Sequence, residues 1–215
     1  MTSSSIETTE RLVRVIADTV LANENYFCEL DGVVGDGDFG YSLARGFEKI
    51  LEDWDNIDRS SPGNFLKRVG MIIPSRVGGV SGTIWGTAFM RAGMNAGAKT
   101  DLTEDDVIAM FRAAIEGIKK RGDSDLGDKT LLDSLVPAVD ELERAFKAGM
   151  EPGAAIQSAA VVARESAEAT RPMLAKRGRA AYTGERSIGT LDAGAVAVAV
   201  LFEAVANSWQ TEAVG

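Results

Sequence analysis

Asp31, Asp36 and Asp38 set three carboxylates within eight residues, separated by glycines that let the backbone fold the side chains toward one point. Hard oxygen donors at that density suit Mg²⁺, which favours octahedral oxygen coordination and commonly shares its sphere with the phosphates of a substrate. An isolated Asp-Gly-Asp is more often a solvated turn. The segment is no EF-hand, because Gly40 stands where the third loop ligand belongs.

Three other segments could act on a phosphate beside such an ion. Gly78-Gly79-Val80-Ser81-Gly82 precedes the apolar Ile84, Trp85, Ala88 and Phe89, so free backbone amides and a helix N-terminus would form an anion site. Glycine there serves equally as a flexible helix link or for close helix packing. Gly122 to Thr130 approaches a P-loop, but Asp128 separates Gly127 from Lys129 and no strand precedes it, so that motif is rejected. Lys129 and Thr130 are left to reach a phosphate or to cap the next helix, the commoner use. Lys176, Arg177, Arg179 and Arg186 gather positive charge in one late segment. Phosphoryl transfer needs cations beside a metal site, because its catalysis is mainly positioning and charge neutralisation. Each of these basic residues taken singly reads as solvated surface.

Composition removes the main alternatives. Histidine is absent, which excludes Ser-His and Cys-His nucleophiles, an imidazole base, His-ligated zinc and phosphohistidine. The lone cysteine, Cys28, excludes an internal disulfide and a thiolate metal site. A net charge of −9 argues against a nucleic-acid surface, which needs a basic face to displace phosphate counterions. The longest apolar run, inside Ala193 to Phe202, stops at Glu203, short of the roughly 20 residues of a membrane span. Met1 to Ile6 carries no export signal. The expectation is a soluble cytoplasmic protein, with residues 1–215 folded as a single domain, that binds neither nucleic acid nor membrane.

Apolar spacing is helical throughout. Leu43, Phe47, Ile50, Leu51 and Trp54 make one stripe, Val107, Met110, Phe111, Ile115 and Ile118 a second, and Leu131, Leu132, Leu135, Val139, Leu142 and Phe146 a third. Thr103 with Asp106 caps the second stripe and Gly122 ends it. Further helices are expected near 6–27, 64–73, 83–97, 153–175 and 193–209, giving an all-α fold of eight helices without strands. The Ala/Val run at 193–202 is read as a buried helix on its length and the lack of a partner strand. If short connections make successive helices antiparallel, the four unusual links emerge at one pole.

Through GDGDFG, GGVSGTIWGTAF, RGDSDLGDKTLLDSLVPA and RGRAAYTGERSIGTLDAGA, nearly the whole chain resembles the nucleotide-binding L subunit of dihydroxyacetone kinase, the counterpart of a C-terminal domain in single-chain ATP-dependent kinases. The resemblance implies a closed barrel of eight antiparallel helices with the nucleotide at one end. It implies that Asp31, Asp36 and Asp38 hold two Mg²⁺ ions against the phosphates of ADP or ATP, with Arg179 as a catalytic partner. It puts nucleotide contacts at Phe39, Gly40, Tyr41, Ser42, Val80, Ser81, Gly122, Leu131, Arg179, Asp192, Ala193 and Gly194. The family usually carries histidine at the position of Phe39 and proline at that of Ala193, departures that bear on fine nucleotide contacts.

The implied partners are a separate K subunit that holds a short keto-sugar through a histidine, a phosphotransferase-system M subunit that recharges bound ADP, and a second copy of the chain in a homodimer. In ATP-using variants ATP is instead an exchangeable substrate. The rival reading of another class is a non-catalytic, nucleotide-dependent docking module, against which the intact aspartates argue. A fatty-acid kinase is the enzymatic rival, but its nucleotide domain normally belongs to a longer chain.

Overall fold

The computed structural model describes residues 4–76 and 80–213, without the side chains of Val80 and of 210–213. Among the described residues there are α-helices and two 3₁₀ segments and no strand, as the spacing predicts. Backbone contacts group Met1–Leu21 with Ser42–Gly122 into one compact unit, and Ala22–Tyr41 with Asp123–Gly215 into a second.

The first unit holds most of α1 (Ser5–Ala22) and of α3 (Phe39–Glu52), with a 3₁₀ turn at Trp54–Asn56, then α4 (Pro62–Arg76), α5 (Val80–Ala96) and α6 (Glu104–Gly122). The α3 stripe is buried at Leu43, Phe47 and Ile50, and Phe47 packs edge-on to Phe89 of α5 at 6.0 Å. The Thr103 cap of α6 forms as a reciprocal pair: Asp106 N–H donates to Thr103 Oγ1 at 3.2 Å and Thr103 N–H to Asp106 Oδ2 at 3.1 Å. Helices α4 and α5 meet along glycines seven residues apart, Gly63 and Gly70 on one helix and Gly86 and Gly93 on the other. Seven residues is two helical turns, so each pair lines one face. A Cβ on Gly70 would lie 2.5 Å from Met90 N, so glycine is what allows the two backbones to touch.

The second unit holds α2 (Glu24–Gly32), α7 (Leu132–Lys147), α8 (Pro152–Glu168), a 3₁₀ segment at Arg179–Ser187 and α9 (Ala193–Ala213). The 193–202 run is helical and buried: Ala195, Val196 and Ala199 pack with Ala138 of α7 and Ala163 and Ala167 of α8, flanked by Leu30 of α2. Small side chains bring these helices close enough for Ser134 Oγ to donate to the Ala163 carbonyl at 2.9 Å. No helix among the described residues is long and apolar enough to cross a membrane.

Two expected helices break or stop early. The helix anticipated at 6–27 is broken at Asn23, whose backbone (φ −108°, ψ 11°) leaves helical values before α2 resumes. Asparagine competes for its own backbone groups and interrupts helices readily. The helix anticipated to reach 175 stops at Glu168, because Pro172 lacks the N–H that would bond the carbonyl of residue 168 and disfavours helical backbone at Arg171. The chain that follows is thereby released as the long basic link to α9.

Candidate functional site

Helix α2 runs to Gly32 rather than ending near 27, so Asp31 projects from a helix terminus and not from a free loop. Its backbone carbonyl accepts the N–H groups of Val34 (3.2 Å) and Gly35 (2.6 Å), and its Oδ2 accepts Gly37 N–H at 2.9 Å. That last bond turns the chain back over the carboxylate. The turn needs Gly37 at φ +74° and leaves no room at Gly35, where a Cβ would fall 2.3 Å from Asp31 Oδ1. The result gathers Asp31, Asp36 and Asp38, one carboxylate oxygen from each, within 4.8 Å of one another.

Arg179, first residue of the 3₁₀ segment, faces this cluster. Its Nη1 pairs with Asp36 Oδ2, and its Nη2 lies 3.7 Å from Asp38 Oδ2. Three carboxylates against one guanidinium leave two negative charges. Like charges at this separation repel, and a hard divalent cation is what the donor set and its residual charge fit.

Helix α3 begins at Phe39, directly after Asp38. Phe39 is buried with its ring 6.0 Å from that of Phe27. Gly40 lies against α2, where a Cβ would meet Glu24 O at 2.0 Å. Tyr41 N–H donates to Cys28 Sγ at 3.2 Å, giving the cysteine a use in holding residues 39–41 against α2, and the Tyr41 side chain is exposed. Asp192 caps α9, its Oδ2 accepting Ala195 N–H at 2.7 Å. Gly194 sits beside it, within 3.2 Å of Leu131 Cβ when given a Cβ of its own, and Ala193 opens the helix. Burial pushes the Asp192 carboxyl up to about 7, helped by the charge of Asp133. Ser42, Ser81 and Gly122 belong to the first unit, in α3, at the start of α5 and at the end of α6. Val80 opens α5, but Gly78, Gly79 and the Val80 side chain lie outside the described residues.

Lys129 does not face the carboxylates, whereas Thr130 caps α7 as the spacing suggests, its Oγ1 accepting Leu132 N–H at 3.2 Å. Lys129 is buried and its ammonium donates to the carbonyls of Ser187 (2.5 Å), Thr190 (2.8 Å) and Met173 (3.1 Å). Buried Asp133 completes the cap, accepting Gly127 N–H at 2.5 Å and Thr130 N–H at 2.7 Å. Thr130-x-x-Asp133 is a capping-box spacing, a signal present in the sequence. Of the basic residues, Lys176 and Arg177 pair with Asp128 at 3.3 and 3.5 Å, so Arg179 is the member of that group directed at the aspartates.

Residues 33–207 match the DAK2 domain. The chain is 37% identical over 189 residues to the ADP-binding subunit DhaL of the PEP-dependent dihydroxyacetone kinase of Escherichia coli (strain K12), covering 88% of this chain and 90% of that one. It is 37% identical to the L-erythrulose 1-kinase of Mycolicibacterium smegmatis, covering 91% of this chain and 34% of the relative. The crystal structure of the dihydroxyacetone kinase of C. freundii superposes with a TM-score of 0.71 at 26% identity, over 93% of this chain, which spans 34% of that kinase's length. On the extent of the domain match and on the near full-length likeness to the Escherichia coli subunit, the chain belongs to the DAK2 domain family.

Proposed function

We propose that this chain is the nucleotide-binding subunit of a cytoplasmic dihydroxyacetone-type kinase, which transfers a phosphoryl group to a short keto-sugar held on a separate K subunit. The observation that carries the reading is the convergence of Asp31, Asp36 and Asp38 within 4.8 Å, with Arg179 directed at two of them. The reading takes residues 1–215 as one nucleotide-binding domain, a closed barrel of eight antiparallel helices with ADP or ATP at one pole.

Asp31, Asp36 and Asp38 would hold Mg²⁺, two ions in this reading, whose chemistry is to neutralise phosphate charge during transfer. Gly37 N–H fixes the orientation of the Asp31 carboxylate, and the first turn of α3 offers amides next to Asp38 where an anion is favoured. Arg179 supplies positive charge that is free to move from the carboxylates to a phosphate. Phe39, Gly40, Tyr41, Leu131 and Asp192 to Gly194, with Ser42, Val80, Ser81 and Gly122 of the other unit, are the proposed nucleotide contacts.

A hydroxyl acceptor needs a positioned base. The chain has no histidine, and its clustered aspartates are committed to the ion, so the acceptor and its base are assigned to the K subunit. A phosphotransferase-system M subunit is the proposed phosphoryl donor, in keeping with the PEP-dependent kinase to which the Escherichia coli relative belongs. The test is a coupled kinase assay of the purified chain, with Mg-ATP or a reconstituted phosphotransferase system as donor, with and without a K-type subunit. Dihydroxyacetone phosphorylation is expected only with the K subunit, and Asp36→Asn is expected to abolish it in a folded protein. Phosphorylation by the chain alone, or an Asp36→Asn rate within a few-fold of wild type, would refute the reading.

A further inference from the structure

Lys129 is an expensive residue to place where it stands. Among the described residues the buried polar or charged side chains are Ser61, Lys129, Asp133, Ser134, Thr170 and Ser187, and Lys129 is the one cation among them. A buried ammonium loses its hydration, and burial lowers its pKa, with Asp192 pulling the other way and Arg171 adding to the decrease. Such a group persists when its protons are all used, and here they are: Nζ donates to Met173 O, Ser187 O and Thr190 O and lies 3.3 Å from Thr190 Oγ1.

What those acceptors share is location. Met173 precedes the 3₁₀ segment that opens with Arg179, while Ser187 ends it and Thr190 leads to Asp192. The segment lacks the regular ladder of an α-helix. Gly178, Gly184 and Gly189 all have positive φ and divide it into short locally bonded pieces, so tertiary bonds are needed to hold those pieces together. Besides the Arg179 pairs, the other ties are Ala175 N–H to Ser187 Oγ (3.0 Å), Gly189 N–H to Arg171 O (2.8 Å) with Arg171 Nη1 to Gly189 O (3.2 Å), and Lys176 and Arg177 to the 123–128 turn. Lys129 adds to these direct cross-links a third point of attachment that bonds both flanks of the segment at once. Its own backbone is fixed from the opposite side, since Asp133 holds Gly127 and Thr130 on either side of it.

We infer that Lys129 is a positioning residue of the phosphoryl-transfer site: by clamping both flanks of 173–190 it fixes the base from which Arg179 reaches Asp36 and Asp38. The inference rests on the function proposed above for the carboxylate cluster. Removing the ammonium leaves three carbonyls, that of Ser187 buried and the other two partly so, without their donor and loosens the segment, while the helical packing of Ala138, Ala163, Ala167 and Ala199 does not touch it. Arg179, long and largely exposed, would then sample many positions instead of one.

The experiment compares wild type, Lys129→Met, Arg179→Met and the double variant by hydrogen exchange of the 173–190 backbone and by calorimetric titration with Mg-ADP. Lys129→Met is expected to speed exchange in 173–190 with α7, α8 and α9 protected as before. It is expected to weaken Mg-ADP roughly 10- to 100-fold, the range for losing a residue that orients a liganding group. Because Lys129 acts through Arg179, the double variant should bind little worse than Arg179→Met, whereas a general loss of stability would make the two effects add. Unchanged exchange in 173–190, affinity within twofold of wild type, or additive effects would each overturn the inference. Lys129→Gln, which keeps a donor on a shorter stem, is read in the same way if Lys129→Met does not fold. Absence of Mg-ADP binding by the wild type would instead sink the proposed function, and the role of Lys129 would then be decided by the exchange data.

Discussion

Replacing Asp38 by Asn should make the protein more stable and less able to respond to its ligand, two effects of opposite sign from one atom. Without an ion, Asp38 is repelled by Asp31 and Asp36, each with an oxygen within 4.8 Å. Because Asp38 is half exposed, the interaction belongs near the aqueous limit, where charges at 4.8 Å interact by about 0.9 kcal/mol. Two repulsions are relieved, and the attraction to Arg179 at 3.7 Å, about 1.1 kcal/mol on the same scale, is lost. The net gain is ~0.6 kcal/mol, or a rise of roughly 1–2 °C in Tm for a chain of this size. Against this, Mg-ADP at about 100 times its Kd stabilises a folded state by about 2.7 kcal/mol, or ~5–10 °C. Asp38→Asn should lose most of that increment. Scanning calorimetry in EDTA, in Mg²⁺ alone, in ADP with EDTA and in Mg-ADP separates the two effects. Nucleotide without metal should shift wild type far less than Mg-ADP does. If wild-type curves superimpose in all four conditions, or if Asp38→Asn keeps the wild-type Mg-ADP shift, the cluster is not a metal-nucleotide site.

Two further outcomes test the frame around the site. The folded pKa of Asp192, near 7, lies above its ordinary value of 3.8, so the folded state binds this proton more tightly than the unfolded chain. Its stabilisation is complete below about pH 4 and is lost as pH rises toward 7, on the order of 4 kcal/mol. Asp106 and Glu141, held down to about 2 by Lys99 and Arg144, act only below that window. Urea unfolding from pH 4.5 to 7.5 should therefore show a falling stability in wild type and a flatter curve in Asp192→Asn, and parallel curves would contradict the assignment. Gly70→Ala should cost about 1–3 kcal/mol by forcing apart α4 and α5, because its new methyl would collide with backbone at Met90 N (2.5 Å) and not with a movable side chain. An unchanged denaturation midpoint would show that this seam yields.

Much of this could be read from residue order, for reasons that are local. Helical stripes such as Leu43, Phe47 and Ile50 declare themselves because burial on one face recurs with the helical period. The Thr103–Asp106 cap is a contact between residues three apart, and the close set Asp31, Asp36 and Asp38 is confined by its own short, glycine-rich chain. Where the sequence misled, a local competitor was overlooked, as with Asn23 breaking the first helix and Pro172 ending α8.

Other features had no local signal. Lys129 stands in a near P-loop sequence and reads as a phosphate ligand or a cap, yet its partners lie 44 to 61 residues away. Lys176, Arg177, Arg179 and Arg186 are equivalent by composition, and only the folded path of 173–190 directs Arg179 to the aspartates while Lys176 and Arg177 turn to Asp128. The same holds for Asp192, whose raised pKa comes from burial and from the neighbouring charge of Asp133, 59 positions earlier. Sequence determined which groups could do chemistry and which helices would carry them, since propensity, capping and short-range spacing act between near neighbours. Tertiary structure decided which cation serves the carboxylates and which is locked away as a clamp, because desolvation and charge pairing depend on distance in space, and the chain order does not encode that distance for segments without regular backbone.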